Sequence, residues 1–550
     1  MSKCSRPRTA AVVLADNASD GATPGAHPQL ALWRASVRMA VITAASVAAT
    51  ALIATGMTGC AGMSGIAPAA ALRSADSLGL ATADAPAVLP AAVDAQWWRA
   101  FGDDQLSGLV TEALANNPSL KVAQARLARA QSAVDATRAA DVPQVSGQLD
   151  ITRQRYTETG LVPPPLAGAA VTNGTVQLAG SWELDFFGKN HAALNAALGT
   201  ARAVQADGQA ARLLLASQVA RTYFNGLRLN EQAGLAQRTL AQRTETLKLV
   251  QDRVSAGLDT PLELRQSEGG LPEARLQFEA LQEQIMLTRH ALAALVGRPA
   301  DVVAPVLLAQ SAVKNMTLPA FIPADLLGRR ADVAAARWRI EAAAGNVANA
   351  KAQFYPNINL VAFAGFSSIG LGNLLAAGSR QAGIGPALRL PIFEGGRLRA
   401  NLQGQTADLD AAIESYNAAV IDAVRDAKDQ VASAQAIARQ QTEQRSAQAS
   451  AETAYDVAVQ RYKAGLGNYL SVLTVETNVL RQRGMAVDLA ARALDTQVAL
   501  ARALGGGYAS GFAGEFTSVS VSEPVGAHAS NAPELIATKA VNTKTTGTFD

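Results

Sequence analysis

"RVSAGLDTPLEL" runs from Arg253 to Leu264, and "RYKAGLGNYLSVL" runs from Arg461 to Leu473. Both copies have Arg, a three-residue gap, Gly and Leu, then a fresh apolar run, and both close a long stretch without proline. "YPNINLVAF" from Tyr355 answers "VPQVSGQLD" from Val142, and "LPIFEGGR" from Leu390 answers "LDFFGK" from Leu184. The offsets agree at about 206 to 213 residues, so the fold must be buildable from two tandem copies of one unit. Each copy reads helix, strand, strand, long helix, tip, helix.

No proline occurs from Leu166 to Thr260 or from Ile392 to Glu523. Within those windows Lys189–Val254 and Arg397–Arg461 carry Ala, Leu and Val at helical spacing. Each run is about 65 residues, or roughly 100 Å of helix. A helix that long exceeds a globular core and needs partners along its length. Shorter helical runs at Ser119–Ala140, Leu262–Val296, Ala331–Ala352 and Tyr469–Leu504 supply them, two end to end covering one long helix. The expected result is an antiparallel coiled-coil cylinder. The repeated "AGL" marks its far tip, where Gly257 and Gly465 take the left-handed turn at low cost. Asp259 or Thr260 then caps the returning helix, which Pro261 opens; Asn468 caps the second.

The strands alternate. Val145, Gly147, Leu149 and Ile151 interleave with Ser146, Gln148, Asp150 and Thr152. From Thr175, the run Val176, Leu178, Gly180, Trp182, Leu184 and Phe186 does the same. Asn357–Phe366 and Ile384–Ile392 form a second pair with weaker alternation. Two explanations compete: a half-exposed soluble sheet, and transmembrane barrel strands of about 9–11 residues with apolar side outward. Four strands cannot close a barrel, for which about eight is the minimum, so the barrel reading forces oligomerisation.

Export fits the amino terminus. "MAVITAASVAATALIA" from Met39 follows Arg34 and Arg38 and ends at "MTGC", Met57 to Cys60. A basic flank, an apolar stretch and small residues before a break describe a secretory signal. The Cys after Thr-Gly resembles a bacterial lipobox; an ordinary cleavage site beside an incidental Cys gives the same pattern. Of the two cysteines, Cys4 falls in the expected leader, so no disulfide framework is available to the mature chain.

Chemistry is harder to find. Lys+Arg at 48 against Asp+Glu at 45 gives no reason to expect a nucleic-acid partner. His27, His191, His290 and His528 are scattered without metal-ligand spacing. There is no phosphate-binding loop and no nucleophile elbow, so neither an enzyme nor a cofactor is expected. "GRR" at Gly328–Arg330 reads as a helix-end salt-bridge cluster rather than an anion site.

"WWRAFGDDQLSGLVTEALANNPSLKVAQAR" (Trp97–Arg126), "IPADLLGRRADVAAARWRIEAAAGNVANAKAQFYPNINL" (Ile322–Leu360), "LPIFEGGRLRANL" and "RYKAGLGNYLSVL" resemble, in order, the lipoprotein branch of the TolC-like outer-membrane channel proteins. Ala331 stands where that family usually has Pro. The resemblance implies an α+β membrane protein and a homotrimer. Each chain would give four strands to a twelve-stranded transmembrane β-barrel, continued by a long α-helical coiled-coil barrel. It implies a division into leader 1–59, linker 60–95, first repeat 96–297, equatorial linker 298–322, second repeat 323–505 and tail 506–550. Cys60 would carry lipid in the outer membrane. A periplasmic membrane-fusion adaptor would dock at Arg253, Ala256, Gly257, Leu258, Arg461, Ala464, Gly465 and Leu466. An inner-membrane transporter would supply small molecules such as drugs or aromatic acids, fusaric acid among them. Many relatives ring the periplasmic mouth with aspartates; the matching positions here are Ser471 and Thr474, leaving Glu263, Asp259 or Glu476 as the carboxylates nearby. Protein secretion through the same architecture, or a non-channel envelope scaffold, are the alternatives.

Overall fold

The computed structural model describes residues 63–73, 93–300, 313–314 and 330–508. Cys60, most of the 298–322 linker and the tail beyond Tyr508 lie outside the described residues. In chain order come α1 (Asp104–Asn116), α2 (Pro118–Arg138), β1 (Gln144–Arg155), β2 (Ala170–Leu184), α3 (Lys189–Ser255) and α4 (Pro261–Val296). The second copy gives α5 (Ala331–Ala352), β3 (Asn357–Ile369), β4 (Arg380–Arg389), α6 (Arg397–Lys463) and α7 (Tyr469–Ala503). The duplicated order is the one the repeat demands, and α1 precedes it in the first copy.

Both long helices have 67 residues, a span of roughly 100 Å. The short helices of each copy line its own long helix, as expected, and the copies also interlock. α3 packs against α2 and α4 of its own copy but also against α5 and α7 of the other. The reason is a reciprocal contact between small residues. A Cβ at Gly199 would stand 2.8 Å from the Ala342 nitrogen, and one at Gly345 would stand 2.8 Å from the Ala196 nitrogen. Only glycine lets the two backbones lie that close. α4 continues through Pro272, although proline denies its turn a hydrogen bond. Packing overrides propensity there.

The amino-terminal signature builds a core. Trp97, Trp98 and Phe101 are buried against Val219, Tyr223 and Phe224 of α3 and Val498 of α7. Phe101 meets Phe224 edge-on with centroids 4.9 Å apart. Asp103 caps α1 through the Leu106 amide and accepts from the Tyr223 hydroxyl at 2.6 Å. Burial and that carboxylate push the Tyr223 hydroxyl well above its ordinary range. The segment from Met63 runs along α6: Met63, Ile66 and Ala70 pack on the cluster around Leu398, Leu402 and Leu409. Asp410 accepts from the Ala69 and Ala70 amides, each at 2.9 Å.

The strands form one antiparallel sheet in the order β1-β2-β3-β4. Its central pair joins the copies, β2 to β3, with Gln177 opposite Gly365. Two boundaries differ from expectation. Phe186 lies past β2 because its amide turns back onto the Leu184 carbonyl at 2.9 Å. The Leu390–Ile392 run falls outside β4, and Pro391 has no N–H to give a ladder. Among the described residues no helix is long and apolar enough to cross a membrane.

The contrast between two glycines of α3 is testable. Gly199→Ala drives a methyl into backbone and should destabilise the fold by about 1–3 kcal/mol. Gly208→Ala on the same helix meets nothing within 4 Å and should be neutral or stabilising. Thermal midpoints of the two variants check the difference.

Candidate functional site

At the tips, both hairpins turn through the same geometry. The Leu258 amide donates to the Arg253 carbonyl at 2.9 Å, and Leu466 to Arg461 at 2.8 Å. Gly257 (φ 70°) and Gly465 (φ 73°) hold the left-handed position that closes such a cap. Ala256 and Ala464 are the preceding cap residues. Thr260 caps α4 in a box with Glu263, and Asn468 caps α7 by accepting from the Ser471 amide at 2.9 Å. Leu258 and Leu466 are left about two-thirds exposed, at 65% and 69%. Leu262 and Leu470 are exposed one turn further on.

Asp259 is not the cap. It is paired with Arg253, Nε to Oδ2 at 2.9 Å, and accepts from the Tyr462 hydroxyl. The Arg253 guanidinium lies 4.5 Å from the Tyr462 ring centroid and donates to the Tyr462 carbonyl at 3.1 Å. One clasp thus fastens the first hairpin to the second. Hydrogen bonds from Arg253 and Tyr462 hold the Asp259 carboxyl below the usual carboxylate range. Burial and Asp259 push the Tyr462 hydroxyl up. The sequence signal for this clasp is where the copies disagree: Tyr462 replaces Val254 in one tip, and Asp259 replaces Gly467 in the other.

Further up the hairpins a polar brace crosses four helices. Arg243 of α3 donates to the Gly270 carbonyl at 2.9 Å and to Glu273 at 3.2 Å, both on α4. Its Nε lies 3.7 Å from Glu476 of α7. Gln242 donates to Glu476 at 3.1 Å and to the Tyr455 hydroxyl of α6. Burial raises the Glu476 carboxyl above its ordinary value and pushes Tyr455 up to about 12. Glu476 is therefore buried among the helices. Glu263 is engaged by Thr260. Ser471 and Thr474 are exposed, with their hydroxyls donating to Asn468 and to the Leu470 carbonyl. The remaining polar candidates are structural: Arg330 pairs with Asp332 at 2.8 Å and Asp426 at 3.5 Å at the start of α5. His191 and His290 sit on exposed helix faces.

At the other end the sheet has one apolar and one polar face. Register puts Leu149, Val176 and Phe366 side by side, as it does Leu184, Ile358 and Leu388. Val145, Leu149, Leu178, Ile384 and Leu388 of that face are all exposed. Among the described residues, the pieces packed beside the sheet are three-residue turns such as Ala139–Asp141 and Leu371–Asn373, and no long helix lies across it. An apolar face without a covering layer rules out the half-exposed soluble sheet and fits a lipid-facing wall. The outer edges of β1 and β4 pair with no other strand among the described residues.

A lipid-facing sheet that must close on other copies, mounted on helical hairpins of roughly 100 Å, defines a channel protein with a β-barrel and a helical barrel. Residues 109–298 and 322–506 match the family described as outer membrane efflux protein. The multidrug resistance outer membrane protein MdtQ of Escherichia coli O157:H7 is 32% identical over 472 residues, 81% of this chain and 96% of the relative. The fusaric acid resistance protein FusA of Burkholderia cepacia is 40% identical over 357 residues, 63% of this chain and 66% of the relative. The outer membrane protein VceC of Vibrio cholerae superposes with a TM-score of 0.72 at 34% identity, over 76% of this chain and all of that one. The chain belongs to the outer membrane efflux protein family. It resides in the outer membrane, extends into the periplasm and serves as an exit duct for efflux.

The clasp has a defined pH dependence. Because the folded Asp259 carboxyl is depressed, its stabilisation is complete above the unfolded value of about 3.9 and is lost as pH falls through the folded one. Amide exchange at the tips should be equally protected from pH 8 down to about 4.5, apart from the intrinsic rate. Asp259→Asn should lower tip protection roughly tenfold throughout, the worth of one charged hydrogen bond.

Proposed function

We propose that three copies of this chain assemble into a passive duct that carries small molecules from a periplasmic adaptor and inner-membrane transporter to the exterior. The observation that carries the reading is the four-stranded sheet, apolar on one face and open at both edges, at the end of the paired hairpins. Three is the number the family resemblance implies; three chains give twelve strands. Drugs and aromatic acids are the solute class, in keeping with relatives named for multidrug and fusaric acid resistance.

The tips suit an adaptor: Leu258, Leu262, Leu466 and Leu470 offer a duplicated apolar surface beside Arg253 and Arg461. Lipid at Cys60 is supported by the position of Met63, three residues along the chain. Met63 packs on the apolar cluster that includes Leu398 and Leu402, at the strand end of α6. At the mouth, Ser471 and Thr474 present exposed hydroxyls, Asp259 is paired and Glu476 is buried, which leaves Glu263, ionised in its helix cap, as the remaining carboxylate among these candidates.

Three measurements test this. Removing the gene should sensitise cells to small toxic compounds without loss of a secreted protein; the opposite pattern would assign the duct to protein secretion. Cys60→Ser should abolish incorporation of labelled palmitate. Purified channels in planar bilayers should conduct and resist block by divalent cations, and the pair Ser471→Asp and Thr474→Asp should raise sensitivity roughly tenfold or more. A scaffold would not conduct.

A further inference from the structure

The polar face of the sheet carries a row of side chains that the duct reading leaves without a task. Gln148 of β1, Gln177 of β2, Gly365 of β3 and Gln381 of β4 stand opposite one another in register. Gln381 Nε2 donates to Gln177 Oε1 at 3.1 Å, and Gln177 Nε2 donates to Gln148 Oε1 at 3.4 Å. Gln148 Nε2 donates to Asp150 Oδ2 at 2.5 Å. All three amides point their N–H groups the same way, toward the carboxylate.

The direction has a chemical cause. An ionised carboxylate can only accept, so Gln148 must turn its NH2 to Asp150 and leave its carbonyl for Gln177. Gln177 then leaves its own carbonyl for Gln381. A single charge aligns three amide dipoles across all four strands, and aligned hydrogen bonds reinforce one another. Gly365 makes the row possible: a Cβ there would meet Gln177 Cβ at 2.6 Å and the Val176 carbonyl oxygen at 2.2 Å. Gln381 reaches Gln177 across the gap that glycine leaves.

Few other charges share this face. The remaining ionisable side chains on it are Glu183 and Arg389, both at the strand ends next to the helices. Glu183 is neutralised by Lys189 at 2.5 Å. Beyond them Asp150 is the one ionisable side chain of the strands on this face, among amides, hydroxyls, small residues and the apolar Val361, Phe363 and Ile369. With the N–H ends drawn toward β1, the carbonyl oxygen of Gln381 is the negative end of the row on β4. The dipoles therefore spread the negative potential of Asp150 from one edge of the sheet to the other.

We propose that Asp150 and the amide row it aligns set the charge selectivity of the barrel, favouring cations over anions. This rests on the duct reading, which puts the polar face toward the lumen. Because barrel strands tilt, each copy contributes an oblique band of this kind, and assembly repeats it around the wall.

The test is the K+/Cl− permeability ratio of purified channels in planar bilayers under a KCl gradient, with assembly checked by size. Asp150→Asn should lower the ratio by on the order of twofold, and Asp150→Lys should carry it further toward anions. Gln177→Leu, which keeps the charge and cuts the row, should lower it by a smaller but measurable step. Conducting Asp150→Asn channels with an unchanged ratio would overturn the proposal, and an unchanged ratio in Gln177→Leu would overturn the part played by the amides. Absence of current in the wild-type protein would instead defeat the duct reading, and the proposal with it.

Discussion

A sheet with two unpaired edges cannot remain open in hydrocarbon. Every N–H and C=O along the outer sides of β1 and β4 would lack a partner where no water is available, and each such group costs several kcal/mol. The apolar row through Leu149, Val176 and Phe366 nevertheless commits this sheet to lipid. The two demands have one joint solution, in which edges meet edges of further copies. A single chain therefore holds only an arc of wall. The rest of the molecule is arranged to present that arc at the right place and angle.

The helices meet that requirement by interlocking. α5 belongs to the second copy by sequence but lies along α3 of the first, through contacts that glycine alone permits at Gly199 and Gly345. α7 likewise touches both long helices. With the copies threaded through each other, neither hairpin can swing alone near the sheet. At the tips the hairpins are joined by the Arg253, Asp259 and Tyr462 clasp, the brace around Arg243 and Glu476, and an apolar cluster of Val250, Tyr462, Tyr469 and Val472.

Duplication gives the molecule its shape, and departures from duplication give it its particular chemistry. The caps at Gly257 and Gly465 are near copies, as are the exposed leucines beside them. The clasp exists because one tip has tyrosine for valine and the other has aspartate for glycine. In the sheet, Gln177 and Gln381 come from different copies and are bonded only because Gly365 stands between them.

Architecture is largely legible from the chain alone. Two-residue alternation, proline-free runs and a repeat near 208 residues dictate strands, long helices and tips, because these periodicities arise from backbone geometry that any neighbour must accept. Helix boundaries agree to within a few residues; the strands are less sharp, since β4 begins before its alternation is visible and Pro391 ends it early. Sequence leaves Thr260 and Asp259 equally able to cap α4, because both can accept the same amide and only Arg253, brought alongside, decides which is free. The interlocking of the copies, the burial of Glu476 and the amide row at Asp150 have no local signature. Each depends on residues between 29 and 234 positions apart meeting at one point, and no local pattern encodes which distant side chain arrives. Local sequence limits what each segment can become; tertiary packing decides which polar groups find partners and which remain for function.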